Sequence, residues 1–395
     1  MNVYLDNSAT TPISDSAKAK MLEAMECYGN PSSLHDVGLK AEKLLSEARK
    51  NIMTALGAKS GELVFTSCGT EATALALFGT AFAKERREAN RILTTNSEHP
   101  SVANALKKLE GFGFEIINIP TKDGVLDLDA LSLALDKKIF LASFMMVNNE
   151  TGALYDVAKA FKIIKEKYPS AITHCDAVQG FLKVRFTPEK IKADLVTVSG
   201  HKLHAPKGVG ALYISPDMIK TKKIVPFLVG GGQERGWRSG TENVVGISAF
   251  GAAVADIYPR LDATIEHMRG LRAYAIEKLS SLEITLNIPK HNSAPHIINL
   301  TLPNIKSETM LHFLSANGIY VSSGSACSSH SHTPSSSLIA FGLEPRQADC
   351  SLRISLSEYN TKEEIDALVA TLDRGISTLV RIKRSYKKQP LAYLR

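Results

Sequence analysis

Between residues 62 and 215, short runs rich in β-branched and aromatic residues alternate with segments of helical periodicity. The segment 156–168, for example, places four apolar side chains at the spacing of one helix face: Val157, Phe161, Ile164 and Tyr168. Strands that alternate with helices are typical of βαβ units and a mainly parallel sheet. We therefore predict an α/β domain with seven strands, at residues 62–67, 91–95, 114–119, 139–147, 171–175, 194–199 and 210–215.

The pattern changes after residue 240. An Ala-rich helical stretch starts at Glu242 and is broken at Pro259. Shorter elements follow: a strand at 296–302, a helix at 308–316, a strand at 319–322 and a final helix after Thr361, where Thr361 and Glu364 form a capping box. This order predicts a smaller α+β domain after the large α/β domain.

Composition and charge exclude several classes of protein. No run reaches the roughly 18 apolar residues that a membrane span needs, and no secretory signal is visible. Five scattered cysteines argue against a disulfide framework and for a reducing compartment, so we expect a cytoplasmic protein without a membrane partner. The basic segment 381–388 (RIKRSYKK) is interpreted as a solvated helix end or as a docking patch for an acidic protein or for RNA. No RNA-binding motif accompanies it, so direct nucleic-acid binding is not expected.

Two chemically useful side chains follow neighbouring predicted strands. Asp176 ends one strand, and Lys202 comes shortly after Ser199 at the end of the next. Ligands of parallel sheets bind at the carboxyl ends of strands. The pair is either a structural ion pair or a Schiff-base lysine with a carboxylate for the ring nitrogen of pyridoxal phosphate.

Pyridoxal phosphate also needs a flat group over its ring and donors for its phosphate, and candidates for both follow strands. His99 could stack on the ring. Gly69 and Thr70 open a helix, where free N–H groups favour an anion. Four further polar residues are expected to flank the cofactor: Ser199 and His201 near the phosphate, and Gln179 and Asn149 near the phenolic oxygen.

Cys327 lies in a stretch of small polar residues, 322–337 (SSGSACSSHSHTPSSS), that we predict to be a mobile surface loop. An exposed, mobile thiol suggests a reactive cysteine. Metal ligation is the rival interpretation, because Cys327, His330 and His332 form a C-x-x-H-x-H pattern. No fourth ligand stands at a usual spacing, so no metal site is predicted.

Taken in order, these motifs resemble the group I cysteine desulfurases, the NifS/IscS-like branch of the class V aminotransferases. The resemblance extends nearly from end to end of the chain. It is carried by residues 4–11 (YLDNSATT), 29–33 (GNPSS), 98–100 (EHP), 148–152 (NNETG), 176–179 (DAVQ), 199–202 (SGHK), 206–208 (PKG), 230–234 (GGGQE), 238–241 (RSGT), 322–327 (SSGSAC) and 353–356 (RISL).

The resemblance implies a pyridoxal-phosphate enzyme of fold type I, the aspartate-aminotransferase type. It implies a large cofactor domain, residues 14–257, and a small domain built from both chain ends, residues 1–13 and 258–395. It implies that the enzyme converts L-cysteine to L-alanine and holds the sulfur on Cys327 as a persulfide. Lys202 would be the Schiff-base lysine, and His99 would pass protons. Arg353, with Asn149, would bind the substrate, and Thr241 would reach the phosphate of the neighbouring subunit in a homodimer. Sulfur acceptors would be iron–sulfur scaffolds or tRNA-thiolation enzymes.

Several positions depart from the usual pattern of this family. Ala205 replaces a glycine, Trp237 replaces a smaller apolar residue, and Ser-Ser-His-Ser-His follows Cys327. The basic tail also lacks the scaffold-docking sequence typical of the IscS type. These departures leave the catalytic groups intact but put the identity of the acceptor in doubt. A selenocysteine lyase or related β-elimination lyase remains the alternative enzyme, and a non-catalytic partner-binding relative is the remote one.

Overall fold

The computed structural model describes residues 2–83, 89–323 and 334–388, with side chains described as far as residue 380. Its strands are β1 (Val3–Tyr4), β2 (Glu62–Thr66), β3 (Arg91–Thr95), β4 (Glu115–Ile119), β5 (Ile139–Met145), β6 (Ile172–Asp176), β7 (Leu195–Ser199), β8 (Gly210–Ile214), β9 (Thr285–Leu286), β10 (Ile297–Thr301), β11 (Ile319–Tyr320) and β12 (Ser351–Ser355).

The helices alternate with these strands. They are α1 (Asp15–Glu26), α2 (Asp36–Leu56), α3 (Gly69–Ala81), α4 (Pro100–Glu110), α5 (Leu128–Ala134), α6 (Val157–Lys167), α7 (Pro216–Lys220), α8 (Val244–Ile257), α9 (Leu261–Leu279), α10 (Ser307–Ala316), α11 (Ser336–Phe341), α12 (Pro345–Asp349) and α13 (Lys362–Lys388).

A seven-stranded sheet with the order β2-β8-β7-β6-β5-β3-β4 lies at the centre. β8 is antiparallel to both of its neighbours, and the other pairs are parallel. The predicted α/β class and the mainly parallel seven-stranded sheet are confirmed. Each predicted strand ends within two residues of the observed one, because both faces of these strands are buried and their apolar runs stop where the burial stops.

Apolar layers cover both faces of the sheet. On one face, Phe144 of β5 stacks on Phe161 of α6 with ring centroids 5.6 Å apart. On the other face, Leu141 of β5 packs in a separate core with Leu106 of α4. The central strands are therefore buried from both sides, and the polar groups at their carboxyl ends have fixed positions.

A second core joins the two ends of the chain. Val3 and Leu5 pack there with Leu271 and with residues of β10, β12 and α13. The capping box of α13 is confirmed, since the Thr361 amide donates to Glu364 at 3.1 Å and the Glu364 amide donates to the Thr361 hydroxyl at 3.4 Å. Helix α9 contributes to both cores, because its first residues, Leu261 and Ile265, belong to the core of the large sheet. The boundary at residue 258 stays a prediction.

The predicted break at Pro259 is a short 3₁₀ turn, Tyr258–Arg260, between α8 and α9. The continuous stretch Val244–Leu279 is long and apolar enough to cross a membrane by length and composition, and 56% of its most apolar window is buried inside the protein. That burial is typical of a core helix, and α8 packs against α1 and α2.

The predicted loop at 322–337 is wrong at its end. Ser336 is the first residue of α11, and the Ser335 hydroxyl accepts from the Leu338 amide as the N-cap. Ser337 is 4% exposed and donates to the Ser97 carbonyl at 3.1 Å. Serine suits an N-cap as well as a loop, which explains the error. Cys327, His330 and His332 lie outside the described residues.

Candidate active site

A pocket opens beside the carboxyl ends of β5, β6 and β7. It brings together ten of the twelve predicted site residues: Gly69, Thr70, His99, Asn149, Asp176, Gln179, Ser199, His201, Lys202 and Arg353. They come from both halves of the chain and from both predicted domains. The other two are Thr241, which does not line this pocket, and Cys327, which lies outside the described residues.

Lys202 ends the 3₁₀ turn that directly follows β7. Its Nζ donates to the carbonyl oxygens of Ser8 at 2.6 Å and Ala9 at 2.7 Å. These carbonyls belong to the N-terminal segment, so the start of the chain orients the amine. An amine held this way points into the pocket and can react with an aldehyde.

Asp176 is the last residue of β6 and is 6% exposed. Burial raises the pKa of its carboxyl to about 6, although the Val178 amide, which donates at 3.0 Å, and the charge of Lys202 both oppose the rise. A buried carboxylate is costly unless a cation meets it. A protonated ring nitrogen is a cation that fits this position.

His99 is the N-cap of α4, and its Nδ1 accepts from the Ser101 amide at 3.1 Å. Since Nδ1 is an acceptor, the proton of the neutral ring is on Nε2. Burial, assisted by the charge of Lys202, lowers the pKa of His99 to about 4. The ring is therefore neutral at pH 7, and its bond to Ser101 fixes its position in the pocket lining.

An anion cradle lies where β2 leads into α3. Cys68 is the N-cap of α3 and makes no side-chain capping bond within the part of the chain that the structure describes, so the first N–H groups of the helix stay available. A Cβ at Gly69 would lie 3.1 Å from Val178, which follows β6, and 3.3 Å from Ser199, which ends β7. The backbone of α3 therefore begins very close to the carboxyl ends of these strands. The Ser199 hydroxyl is buried and has no partner in the described structure.

Three other predicted residues, Gln179, Asn149 and His201, line the same pocket. Gln179 donates through Nε2 to the Ser8 carbonyl at 2.9 Å. Asn149 has a buried Oδ1 without a partner among the described residues. Burial and the charges of Lys202 and other lysines lower the pKa of His201 to about 4, so its ring is also neutral.

Arg353 lies on β12 and is 2% exposed. One guanidinium nitrogen donates to Asp6 at 2.8 Å, and the other donates to the Asn149 carbonyl at 3.0 Å. Nε is buried and unpartnered among the described groups. The fork is thus fixed in position and retains donors for a carboxylate.

Thr241 is exposed, in the segment that precedes α8. In a single chain it does not reach the cofactor site, which is compatible with the predicted role in a neighbouring subunit. That role and the roles of the other site residues stay predictions.

Seven residues that line the pocket were not predicted. Three are apolar, Met145, Val147 and Val178, and the other four are Ser8, Ala9, Cys68 and Ser101. Cys68 and Ser101 stand next to predicted residues, so the strand-end argument could have included them. Ser8 and Ala9 belong to the motif YLDNSATT, which has no strand-end signal. They reach Lys202 because the N-terminal segment lies beside the turn that follows β7.

The pocket fits pyridoxal phosphate. Buried oxygens of Ser8, Asn149 and Ser199 lack partners among the described residues, and each lies on a residue that lines the pocket. Buried polar groups are normally hydrogen-bonded. A ligand with a phosphate, a ring nitrogen and a phenolic oxygen supplies partners for these atoms, for Asp176 and for the open N-terminus of α3.

Comparison with known proteins agrees with this chemistry. The aminotransferase class-V family model matches residues 3–368. The cysteine desulfurase IscS of Dictyoglomus turgidum is 39% identical over 395 residues, covering 98% of this chain and 97% of that protein. The cysteine desulfurase IscS of Methanosarcina thermophila is 38% identical over 380 residues, covering 95% and 92%.

Solved structures give the same result. A NifS-like protein superposes with a TM-score of 0.89 at 36% identity, covering 96% of this chain and 100% of that one. A NifS-like protein from Rickettsia africae superposes with a TM-score of 0.85 at 30% identity, covering 95% and 100%. Both the sequence and the architecture are therefore shared along nearly the whole chain, which belongs to the aminotransferase class-V family and, within it, to the pyridoxal-phosphate-dependent cysteine desulfurases.

Proposed function

We propose that this cysteine desulfurase takes sulfur from L-cysteine in the pocket around Lys202 and stores it on Cys327 as a persulfide. One observation carries the proposal: a lysine, a buried carboxylate, a neutral imidazole, an open helix N-terminus and a fixed arginine converge on one pocket. Each of these groups has a task in cysteine desulfuration with pyridoxal phosphate.

When bound, pyridoxal phosphate supplies an electron sink for the negative charge that develops at the substrate Cα. Asp176 keeps the ring nitrogen protonated, and α3 with Ser199 holds the phosphate. Arg353 binds the substrate carboxylate and so orients the Cα–H bond toward Lys202. The Lys202 amine takes the Cα proton, and neutral His99 relays protons to and from the leaving groups.

Cys327 attacks the substrate sulfur as a thiolate. An S–S bond forms while the Cβ–S bond breaks, and the carbon fragment keeps that electron pair and takes up a proton. L-cysteine and the Cys327 thiol thereby become L-alanine and a Cys327 persulfide, with no outside oxidant. Acceptors of this sulfur are proposed to be iron–sulfur scaffolds or tRNA-thiolation enzymes.

A homodimer is the proposed functional unit. Thr241 is exposed and away from its own pocket. Large apolar side chains are also exposed between residues 22 and 39, among them Tyr28 at 85% and Leu34 at 92%. A second copy would cover such side chains and bring its own Thr241 to the phosphate. Light scattering after size-exclusion chromatography tests this: a monomeric holoenzyme contradicts the dimer.

The reaction is tested with two variants and two controls. Lys202→Ala should lose the visible absorbance of the bound cofactor and form no alanine, whereas Lys190→Ala, on the exposed surface, should keep both. Cys327→Ser should keep the absorbance but form no persulfide, and Cys27→Ser should behave like the wild type. Persulfide formation in Cys327→Ser would move the acceptor to another thiol, whereas normal turnover without a protein persulfide would favour the elimination-lyase alternative.

A further inference from the structure

His296 is a buried histidine that no part of the proposed reaction uses. It lies directly before β10, is fully buried, and its carbonyl accepts from the Leu356 amide at 2.8 Å. Its ring contacts Gln179, which lines the cofactor pocket. The ring Nε2 lies 3.4 Å from Oε1 of Gln179.

The direction of this hydrogen bond follows from a chain of donors and acceptors. The Ser8 carbonyl can only accept, so the nitrogen of the Gln179 amide must face it, at 2.9 Å. The amide oxygen therefore faces His296 and can only accept. Hence the neutral His296 ring carries its proton on Nε2 and donates to Gln179.

The neutral state of the ring has a physical cause. Burial lowers the pKa of His296 well below its usual range, and the positive charges of Lys183, Arg353 and Arg272 lower it further. Nδ1 is left as a bare acceptor, without a partner among the described residues. The bond to Gln179 is thus the one described hydrogen bond of this ring, and its proton stays on Nε2 across the working pH range.

The Gln179 amide is consequently held at both ends. Oε1 accepts from His296, and one Nε2 hydrogen is donated to the Ser8 carbonyl. The same carbonyl accepts from Lys202 at 2.6 Å. The second Nε2 hydrogen remains for the pocket that Gln179 lines.

We propose that His296 is a positioning residue: its Nε2–H fixes the orientation of the Gln179 amide and thereby presents the second amide hydrogen to the cofactor's phenolic oxygen. The inference rests on the proposed function, in which Gln179 contacts that oxygen. Without the imidazole donor, the amide can rotate and turn its oxygen toward the cofactor, where an acceptor repels the phenolic oxygen.

The pH dependence of the cofactor's visible band, measured without substrate, reports this contact. The band changes when the nitrogen that joins Lys202 to the cofactor loses a proton that it shares with the phenolic oxygen. A donor on that oxygen weakens its hold on the proton. Loss of the donor should therefore raise the pH midpoint by about one unit, equivalent to about 1.4 kcal/mol.

Two substitutions of similar polarity but different reach provide the test. His296→Gln places an amide nitrogen near the position of Nε2 and should keep the wild-type midpoint. His296→Asn is one methylene shorter, cannot reach Gln179, and should raise the midpoint by about one unit. His267→Gln is the control and should leave the midpoint unchanged. His267 lies on α9, and its ring bonds the Asn360 carbonyl.

A double-mutant cycle separates this inference from the proposed function. Gln179→Leu should raise the midpoint at least as far as His296→Asn, and His296→Asn should add no further shift in the Gln179→Leu background. If Gln179→Leu shifts the midpoint and His296→Asn does not, His296 has no positioning role, while the proposed function stands. If Gln179→Leu shifts nothing, the cofactor contact of Gln179 is wrong and the inference falls with it. The Lys202→Ala test of the cofactor site is independent of both results.

Discussion

The ion pair between Arg49 and Glu234 should contribute much of the stability of the chain segment around Glu234, which precedes α8. The two guanidinium nitrogens of Arg49 donate to the carboxylate at 2.8 and 2.9 Å, and the Phe65 amide donates to the same carboxylate at 2.8 Å. The Glu234 side chain is 3% exposed. Glu234 has a φ of 49°, in the left-handed region, so the pair also holds strained backbone.

Removal of both partners should cost much less than the sum of the two single removals. Arg49→Met leaves a buried carboxylate with the Phe65 amide alone and should lower the free energy of unfolding by about 3–5 kcal/mol. Glu234→Leu leaves a guanidinium that is partly exposed and still donates to the Leu63 carbonyl, so its cost should lie at or below the lower end of that range. The double variant should lose much less than the sum of the two, because an apolar pair leaves no charge unmatched.

Urea-induced unfolding at pH 7 and a fixed protein concentration measures these differences. Arg235→Ala is the matched control. Its pair with Glu62 joins side chains that are 67% and 23% exposed, and its loss should cost less than about 1 kcal/mol. Single variants as mild as the control, or a double variant that loses the full sum, would refute the reasoning.

Three further outcomes are expected. Arg353→Lys should raise KM for cysteine about 10- to 100-fold with a smaller effect on kcat, because a lysine cannot provide the bidentate fork. Steady-state alanine formation measures both constants, and an unchanged KM contradicts the carboxylate role. Ser335→Ala should lower the free energy of unfolding by about 1 kcal/mol through loss of the α11 cap, which urea unfolding measures. The double variant His330→Ala/His332→Ala should contain no less zinc than the wild type and should retain activity. Elemental analysis and an alanine assay measure the two quantities, and stoichiometric zinc lost together with activity would instead favour a metal site.

Much of the site could be predicted because its groups follow strands of one sheet. Asp176 ends β6 and Lys202 follows β7, its neighbour in the sheet, so adjacency in the sheet predicted their proximity. The same argument placed His99 and Gly69 at that edge. Periodicity located the strands, because continuous burial leaves continuous apolar runs.

Contacts between distant parts of the chain could not be predicted in this way. The carbonyls of Ser8 and Ala9 hold Lys202 from 194 and 193 residues away, and backbone oxygens leave no mark in a sequence. The antiparallel direction of β8 depends on how the chain crosses the sheet after Lys202. His296 directly precedes an ordinary apolar strand, β10, so only its contact with Gln179 distinguishes it from a core histidine.

Glu98 is a second buried carboxyl near Asp176, and its ionisation can be tested directly. Its Oε1 accepts from the Thr95 hydroxyl at 2.7 Å and the Met145 amide at 2.9 Å, while Oε2 is buried without a partner in the described structure. Burial raises the pKa of Glu98 from 4.5 to about 8, and the negative charge of Asp176 contributes to the rise. Two neighbouring carboxyl groups rarely ionise together, so a neutral Glu98 favours the charged form of Asp176, the form that the ring nitrogen requires.

The expected pH dependence of stability follows from these pKa values. Below pH 4.5 Glu98 is protonated in both the folded and the unfolded chain, so its favourable contribution is fully present. As the pH rises toward 8 the unfolded chain ionises and the folded chain does not, so that contribution is lost. Glu98→Gln keeps the shape of the neutral acid but cannot ionise. Between pH 5 and pH 7 the variant should therefore gain about 2.5 kcal/mol of unfolding free energy relative to the wild type. Urea titrations of both proteins at the two pH values give this difference directly. A difference that stays constant would mean that Glu98 ionises normally in the folded protein and that Asp176 carries its charge beside a second carboxylate.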